Sequence, residues 1–88
     1  MPVLPDSATP LYNHPLPSLE LWLRELGAVR QHGNPCCWDL HHGEWSAEIE
    51  LEVADLTVRW QHDGQRLVRQ FPYGLSRADV EAAILAGP

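Results

Sequence analysis

The stretch from Trp45 to Trp60, WSAEIELEVADLTVRW, alternates apolar and polar residues with a period of two. That period is typical of a half-buried β-strand, because successive side chains point to opposite faces of a sheet. The alternation breaks at Ala54 and Asp55, which predicts a turn and therefore an antiparallel hairpin. A register slip of one residue would turn every apolar side chain of this hairpin to water, so the pattern constrains how its strands pair.

The same alternation extends into the flanking segments and predicts four antiparallel strands. A tight turn at 42–43 joins the first two strands and places Leu40 across from Trp45. HDGQ at 62–65 predicts a third turn before the fourth strand, RLVRQF, in which either Leu67 or Val68 could face inward. Such mixed patterning favours an edge strand.

An amphipathic helix is predicted at each end of the sheet. Ser18 is the candidate N-cap of the first helix and Gly27 ends it, while Ser76 caps the second. Their apolar stripes comprise Leu19, Trp22, Leu23 and Leu26 in the first helix and Val80, Ala83 and Ile84 in the second. The predicted fold is α+β: helix, four-stranded antiparallel meander, helix, with both helices on one face of the sheet.

The segment before the first helix is rich in proline. Five of the eight prolines fall within residues 1–17, which predicts that this segment is not helical. We expect 1–8 to form a mobile N-terminal tail, and 9–88 to form a single small domain. This domain includes a proline-rich arm at 9–17, held in place by Leu11, Tyr12 and Leu16.

Charge and hydropathy disfavour two classes of partner. The chain has twelve Asp and Glu against six basic residues, all of them Arg, and a net charge of −6. Phosphate backbones are bound by clustered Lys and Arg, so nucleic acid is not the expected partner. A long apolar run and a signal-peptide pattern are both missing, so membrane insertion is not expected.

The segment CCWDLHH at 36–42 raises the question of a metal site. Cys37 and His41 share a face of an extended strand but lie about 13 Å apart, whereas zinc ligands converge to about 2.0–2.3 Å from the ion. Cys36 is expected to be a buried, inert core residue. The sequence therefore predicts no metal, no cofactor and no enzyme activity. Sites at Cys36–Cys37, or between His32 and Cys37, remain open alternatives.

Two surfaces remain as candidates for function: the outer face of the hairpins, with its alternating row of glutamates, and the aromatic–proline arm. The candidate contact residues are Glu48, Glu50, Glu52 and Arg59 on the face, with Glu50 across from Arg59, and Tyr12, Asn13 and His14 on the arm. Small size and the lack of a convergent polar pocket favour a non-enzymatic protein–protein interaction module with an unidentified protein partner.

The order helix, antiparallel strands, helix is shared with double-stranded-RNA-binding domains and gives the alternative, a nucleic-acid-binding module. Those domains place basic residues at the start of the second helix, where they contact phosphates. The corresponding turn of this chain offers a single Arg77 beside Asp79. We therefore rank this alternative second.

Three segments resemble a family of short cyanobacterial and plastid proteins, a domain-of-unknown-function family. They are TPLYNHPLPSLELWLRELGA near the start, WSAEIELEVADLTVRW in the middle and YGLSRADVEAAILAGP at the end. The resemblance covers about Thr9 to Pro88. It implies a soluble protein of oxygenic photosynthetic cells, in the cytoplasm or the equivalent plastid stroma. It implies no activity, so it assigns no catalytic or binding residue.

Overall fold

Two α-helices and a five-stranded antiparallel sheet make up the protein, so the α+β class is confirmed. The computed structural model describes residues 4–88; residues 1–3, part of the tail expected to be mobile, lie outside the described residues. The elements are a 3₁₀ turn (Leu11–Asn13), α1 (Leu16–Glu25), β1 (Val29–Gln31), β2 (Asn34–His42), β3 (Trp45–Leu51), β4 (Asp55–His62), β5 (Gln65–Pro72) and α2 (Arg77–Ala86). The strands lie side by side in chain order.

The prediction of four strands is wrong because it lacks β1. This strand pairs with β2 and joins Val29 with Asp39 and Arg30 with Trp38. β1 has only three residues, and its one apolar side chain, Val29, is exposed. A strand this short shows no alternation in the sequence, so the segment resembles a loop.

Both central hairpins pair two residues away from the predicted register. Leu40 lies opposite Ala47, and Arg59 lies opposite Glu48 instead of Glu50. A shift of two residues keeps every side chain on its predicted face, because the strand repeat is itself two residues. The alternation therefore determines the faces but cannot distinguish these two registers.

Helix α1 begins inside the proline-rich segment, two residues before the predicted N-cap. Leu16 starts the helix and Pro17 lies in its first turn, where a missing N–H breaks no helical hydrogen bond. The carbonyl of Pro15 accepts hydrogen bonds from the backbone N–H groups of Ser18 (2.9 Å) and Leu19 (3.1 Å). The interpretation of residues 1–17 as entirely non-helical is therefore wrong, and Ser18 is not the cap.

Helix α2 has the predicted ends. The Ser76 hydroxyl accepts a hydrogen bond from the backbone N–H of Asp79 (3.2 Å), as an N-cap does. Gly87 follows the last residue of the helix and donates its backbone N–H to the carbonyl of Ile84 (3.2 Å). The capping pattern in the sequence therefore located this helix correctly.

One cluster of buried side chains contains residues from both helices and from one face of the sheet. Its members are Leu11, Leu19, Trp22, Leu23, Ala28, Trp38, Leu40, Ala47, Ile49, Leu56, Val58, Trp60, Phe71, Val80 and Ile84. Two indole N–H groups link the elements around it. Trp22 of α1 donates to the Glu81 carboxylate of α2 (2.8 Å), and Trp60 of β4 donates to the carbonyl of Ile84 (3.3 Å).

Backbone hydrogen bonds join the segment that precedes α1 to the start of α2. The N–H of Arg77 donates to Thr9 (3.1 Å) and the N–H of Ala78 donates to Ser7 (2.8 Å). These bonds satisfy N–H groups that a helix N-terminus leaves without a partner. Leu11 is fully buried in the core. The division into a mobile tail at 1–8 and a domain at 9–88 remains a prediction.

Candidate functional site

The glutamate row on the outer face of the sheet surrounds one arginine. Arg59 Nη1 lies 2.9 Å from Glu48 Oε1 and 3.0 Å from Glu50 Oε1, and its Nη2 lies 3.8 Å from Glu52 Oε1. We call these four residues the acidic row. Hydrogen bonding to Glu50 raises the pKa of Arg59 above its ordinary value, so the guanidinium stays charged.

The polar network extends beyond the acidic row at both ends. Gln31 donates from Nε2 to Asp39 Oδ1 (2.9 Å) and to Glu48 Oε2 (2.6 Å). At the other end, the buried Thr57 hydroxyl donates to Glu52 Oε1 (3.0 Å). The sequence prediction missed Gln31 because it missed β1. With Asp39, this network contains four carboxylates and one guanidinium, so it carries an excess of negative charge.

The two cysteines have the reverse of the burial expected for them. Cys37 is buried and Cys36 is exposed. Cys37 lies opposite Glu50 on the outer face, where its short side chain sits among longer ones. Cys36 shares a face with the core residue Trp38 but lies near the start of β2. The prediction of Cys36 as an inert core residue is therefore wrong, because its position near the strand end leaves it uncovered.

The buried Cys37 thiol lies close to the carboxylates of Glu48 and Glu50, and all three groups can act as metal ligands. The Cys37 sulfur and one oxygen each from Glu48 and Glu50 lie within 4.8 Å of one another. Burial, and then the charges of Glu50 and Glu48, raise the pKa of Cys37, so the thiol is protonated at neutral pH. A metal ligand must be a thiolate. Arg59 already contacts both carboxylates, so a metal ion at this position would have to displace the guanidinium from them.

The second surface is an apolar groove of about 590 Å³ beside the arm. It is lined by Leu11, Tyr12, His14, Leu16, Leu19, Glu20, Cys36, Leu51, Glu52, Val53 and Tyr73, and we call it the arm groove. Tyr12 is 65% exposed, Leu16 is 58% exposed and Val53 is fully exposed. Of the three side chains expected to hold the arm, only Leu11 is buried; Tyr12 and Leu16 instead form the wall of the groove.

The arm residues predicted to contact a partner differ in exposure. Tyr12 and Asn13 are exposed, but His14 is buried. The His14 Nδ1 lies 3.0 Å from the carbonyl oxygen of Pro10, which can only accept, so Nδ1 carries the proton. Nε2 is buried and has no hydrogen-bond partner among residues 4–88. His14 therefore supports the groove from below, and Asn13 is not among the groove residues.

Glu52 belongs to both surfaces. Its carboxylate contacts Arg59 in the acidic row, and the residue also lines the arm groove. The Tyr73 hydroxyl donates a hydrogen bond to the backbone carbonyl of Glu52. Burial raises the pKa of Tyr73, so the hydroxyl remains a donor at neutral pH. The acidic row therefore leads directly to the rim of the groove. The groove could not be predicted from the sequence, because its walls come from segments that are far apart in the chain.

Comparisons with known proteins support a family but no activity. Neither curated proteins nor solved structures gave a significant match. Within residues 4–88, no helix has the length and apolar character needed to span a membrane. Residues 26–87 match a family described as a protein of unknown function, DUF3143. The match begins after the TPLYNHPLP segment and covers the sheet and α2. The chain therefore belongs to the DUF3143 family of proteins of unknown function.

Proposed function

We propose that the protein is a non-enzymatic protein-binding module whose ligand is a protein segment with both basic and apolar side chains. The observation that carries this proposal is the junction at Glu52, where the acidic row meets the arm groove. Basic side chains of the partner would contact the carboxylates, and apolar ones would enter the groove. Charge complementarity of this kind supplies specificity and speeds association, while apolar burial supplies affinity.

We infer that α1 and α2 both cover the face of the sheet that holds Trp38, because their buried side chains share one cluster with it. The opposite face, with the acidic row, is then open to a partner. On that face the side chains around Arg59 enclose a shallow depression of about 470 Å³. Polar side chains that are held by one another present a defined surface, so little conformational entropy is lost when a partner binds.

The apolar side chains of the arm groove support binding rather than folding. Tyr12, Leu16 and Val53 expose most of their surface and surround one concave site. Grouped apolar exposure of this kind marks interaction sites on soluble proteins. Leu85 of α2 is exposed as well, but it is not part of this group.

The absence of catalytic activity is part of the proposal. Nucleophilic catalysis requires a base within hydrogen-bond reach of the nucleophile. In the described chain, no imidazole or carboxylate is hydrogen-bonded to the Cys36 thiol. The buried Cys37 thiol is protonated, and the glutamates of the acidic row are engaged by Arg59.

The start of α2 argues against nucleic-acid binding as the alternative. The guanidinium of Arg77 donates to the carbonyl oxygen of Pro5 (3.0 Å), so it is directed toward the segment that precedes the arm. The backbone N–H groups of Arg77 and Ala78 also donate to the carbonyl oxygens of Thr9 and Ser7. A phosphate would have to displace these contacts beside an acidic face, which favours the protein-binding role.

The resemblance to cyanobacterial and plastid proteins suggests where the partner is found. We propose that the protein acts in the cytoplasm of an oxygenic photosynthetic cell, or in the plastid stroma. There it would serve as an assembly or regulatory factor for a larger photosynthetic or translational complex. The features that support this role are its small size and its two binding surfaces.

Affinity purification of the full chain from such cells tests the proposal. Leu16→Glu and Val53→Glu should each lose the co-purifying partner, because a charge enters the arm groove. Glutamate at position 16 suits the first turn of a helix, so the fold should be retained. Leu85→Glu is the matched control, since it adds the same charge outside the groove, and it should keep the partner. A partner that both groove variants retain would contradict the assignment of this surface.

A further inference from the structure

Strand β5 forms an edge of the sheet, at the end opposite β1. Seven of its eight residues are exposed, and Phe71 alone is buried. In the described chain, no backbone hydrogen bond outside the sheet involves residues 65–70. The outer side of β5 is therefore open to pairing with another extended segment.

The turn between β4 and β5 determines which backbone groups point outward. Its two residues, Asp63–Gly64, have φ angles of 51° and 80°, as in the tight hairpin turns with positive φ at both positions. The flanking pair, His62–Gln65, is hydrogen-bonded in such a hairpin, and bonded and non-bonded pairs alternate from there. The N–H and C=O groups of Arg66, Val68 and Gln70 therefore point away from β4.

Along this edge, two exposed apolar side chains lie between two arginines. Leu67 and Val68 are 44% and 55% exposed, and an arginine lies on each side of them in the sequence. Arg66 lies on the same face as Arg59, whereas the Arg69 guanidinium lies over the Phe71 ring at 5.0 Å on the other face. Neither arginine forms an ion pair within residues 4–88.

We propose that β5 binds an extended segment of another protein as a sixth strand. Four consecutive residues of this segment are acidic, apolar, apolar and acidic. In antiparallel pairing, its two central residues would lie opposite Leu67 and Val68, and its carboxylates would lie opposite Arg66 and Arg69. This surface is separate from the arm groove, and the charge it selects is the opposite one. The proposal therefore goes beyond the proposed function and does not depend on it.

A second copy of this chain is a poorer occupant of the edge. A symmetric antiparallel β5–β5 pairing through the outward groups places Val68 opposite Val68, which sets Arg66 opposite Gln70 and Arg69 opposite Leu67. Four arginines then lie along two adjacent strands without an acidic partner. The other free edge, β1, has only three residues. The two arginines thus oppose self-association of the edge, whereas a segment with acidic residues is attracted to them.

NMR titration of the full chain with a synthetic peptide tests the proposal. The peptide matches β5 in length and has glutamate, valine, valine and glutamate at its centre. We expect chemical-shift changes and slower amide exchange at Arg66, Val68 and Gln70. Replacing both peptide glutamates by lysine should weaken binding about tenfold, because two attractive cross-strand pairs become repulsive.

Two controls separate strand addition from simple charge attraction. Val68→Pro removes an outward N–H, leaves the bonds to β4 in place and should abolish binding. A peptide N-methylated at the amides that face β5 should also fail to bind, and this control leaves the protein unchanged. Arg66→Glu combined with Arg69→Glu should reverse the preference toward the lysine peptide.

Three outcomes would overturn the proposal. The first is that the glutamate and lysine peptides bind equally well, or that neither peptide binds. The second is binding that survives N-methylation, which would show attraction without strand pairing. The third is a dimer in sedimentation that Val68→Pro abolishes, which would show that the edge belongs to a second copy. Leu16→Glu should bind the peptide normally, so failure of the arm-groove proposal would be seen separately.

Discussion

Gly87 shows how one residue connects a helix end to the core. Its φ of 83° lies in the region that favours glycine, and a Cβ at this position would lie 2.7 Å from Trp45 Nε1. Gly87→Ala therefore strains the backbone and displaces the indole. We expect the free energy of unfolding to fall by about 1–3 kcal/mol, measured by urea denaturation.

Gly43→Ala is the matched control for this substitution. Gly43 also has a positive φ, 57°, but nothing lies within 4 Å of its missing Cβ. This variant therefore measures the backbone strain without the contact. If Gly87→Ala destabilises the protein no more than Gly43→Ala, the indole does not restrict this position.

The two cysteines should react at very different rates. Cys36 is exposed, whereas Cys37 is buried and its pKa is raised by burial and by the charges of Glu50 and Glu48. A disulfide reagent at neutral pH should therefore label one thiol quickly and the other only on unfolding. Cys36→Ser should remove the fast phase, and Cys37→Ser should leave it. Two equally fast phases would contradict the burial of Cys37.

The raised pKa of Cys37 also gives the sign of a pH effect. Below the ordinary thiol pKa of 9.0 the sulfur is protonated in both the folded and unfolded chain, so its contribution to stability is complete. As the pH rises above that value, the unfolded chain loses the proton first and the contribution declines. Cys37→Ala should therefore show a smaller loss of stability above pH 9.0 than the natural chain.

The burial of single residues was harder to predict than the face of the sheet on which their side chains lie. Alternation placed Cys36 and Cys37 on opposite faces, as the structure shows, yet their burial is reversed. Depth depends on how long the neighbouring side chains are and on where the strand ends, and neither property appears in a period of two. His14 is a similar case, since a polar residue among prolines gave no sign that it would be buried.

At the scale of elements, the acidic row stabilises the pairing of β3 with β4 through Arg59. Arg59→Met leaves three glutamates near one another without their cation. More than a third of the arginine side chain is exposed, so solvent screening limits the expected loss of unfolding free energy to about 1 kcal/mol. The loss should shrink in high salt, measured by urea denaturation at two salt concentrations.

Arg66→Met is the matched control for the Arg59 prediction, because Arg66 lies on the neighbouring strand and forms no ion pair within residues 4–88. It should change stability little and show no comparable dependence on salt. Equal effects of the two variants would indicate that the contacts of Arg59 with the glutamates add nothing to the stability of the hairpin.

Elements with a strong local pattern were predictable, and those defined by their neighbours were not. The capping residues of α2 and the alternation of β3 and β4 are local signals, and all three elements are present, although the register of β3 with β4 differs by two residues. β1 is a strand only because β2 pairs with it. The start of α1 was misplaced because proline in a first helical turn looks, in the sequence, like proline outside a helix.

Across the whole molecule, the two proposed binding surfaces differ in charge, although Arg66 and Val68 of β5 also line the depression beside Glu48 and Arg59. The acidic row and arm groove favour a basic, apolar partner segment, whereas Arg66 and Arg69 on β5 favour an acidic one. Two surfaces of opposite preference suit a small protein that joins two partners. The sequence revealed the glutamates as a row, but the groove is assembled from the arm, the loop after β3 and Tyr73, which only the fold brings together.

The arm should be an integral part of the domain, and Leu11 allows a direct test. Leu11 is fully buried, so Leu11→Ala leaves a cavity and should lower the free energy of unfolding by about 2–5 kcal/mol. Leu16→Ala removes the same atoms from a side chain that is 58% exposed and should change stability little. Urea denaturation measures both effects, and limited proteolysis should cut residues 9–17 faster in Leu11→Ala alone. If Leu11→Ala is no less stable than Leu16→Ala, the arm only rests on the domain and the arm groove is not a fixed site.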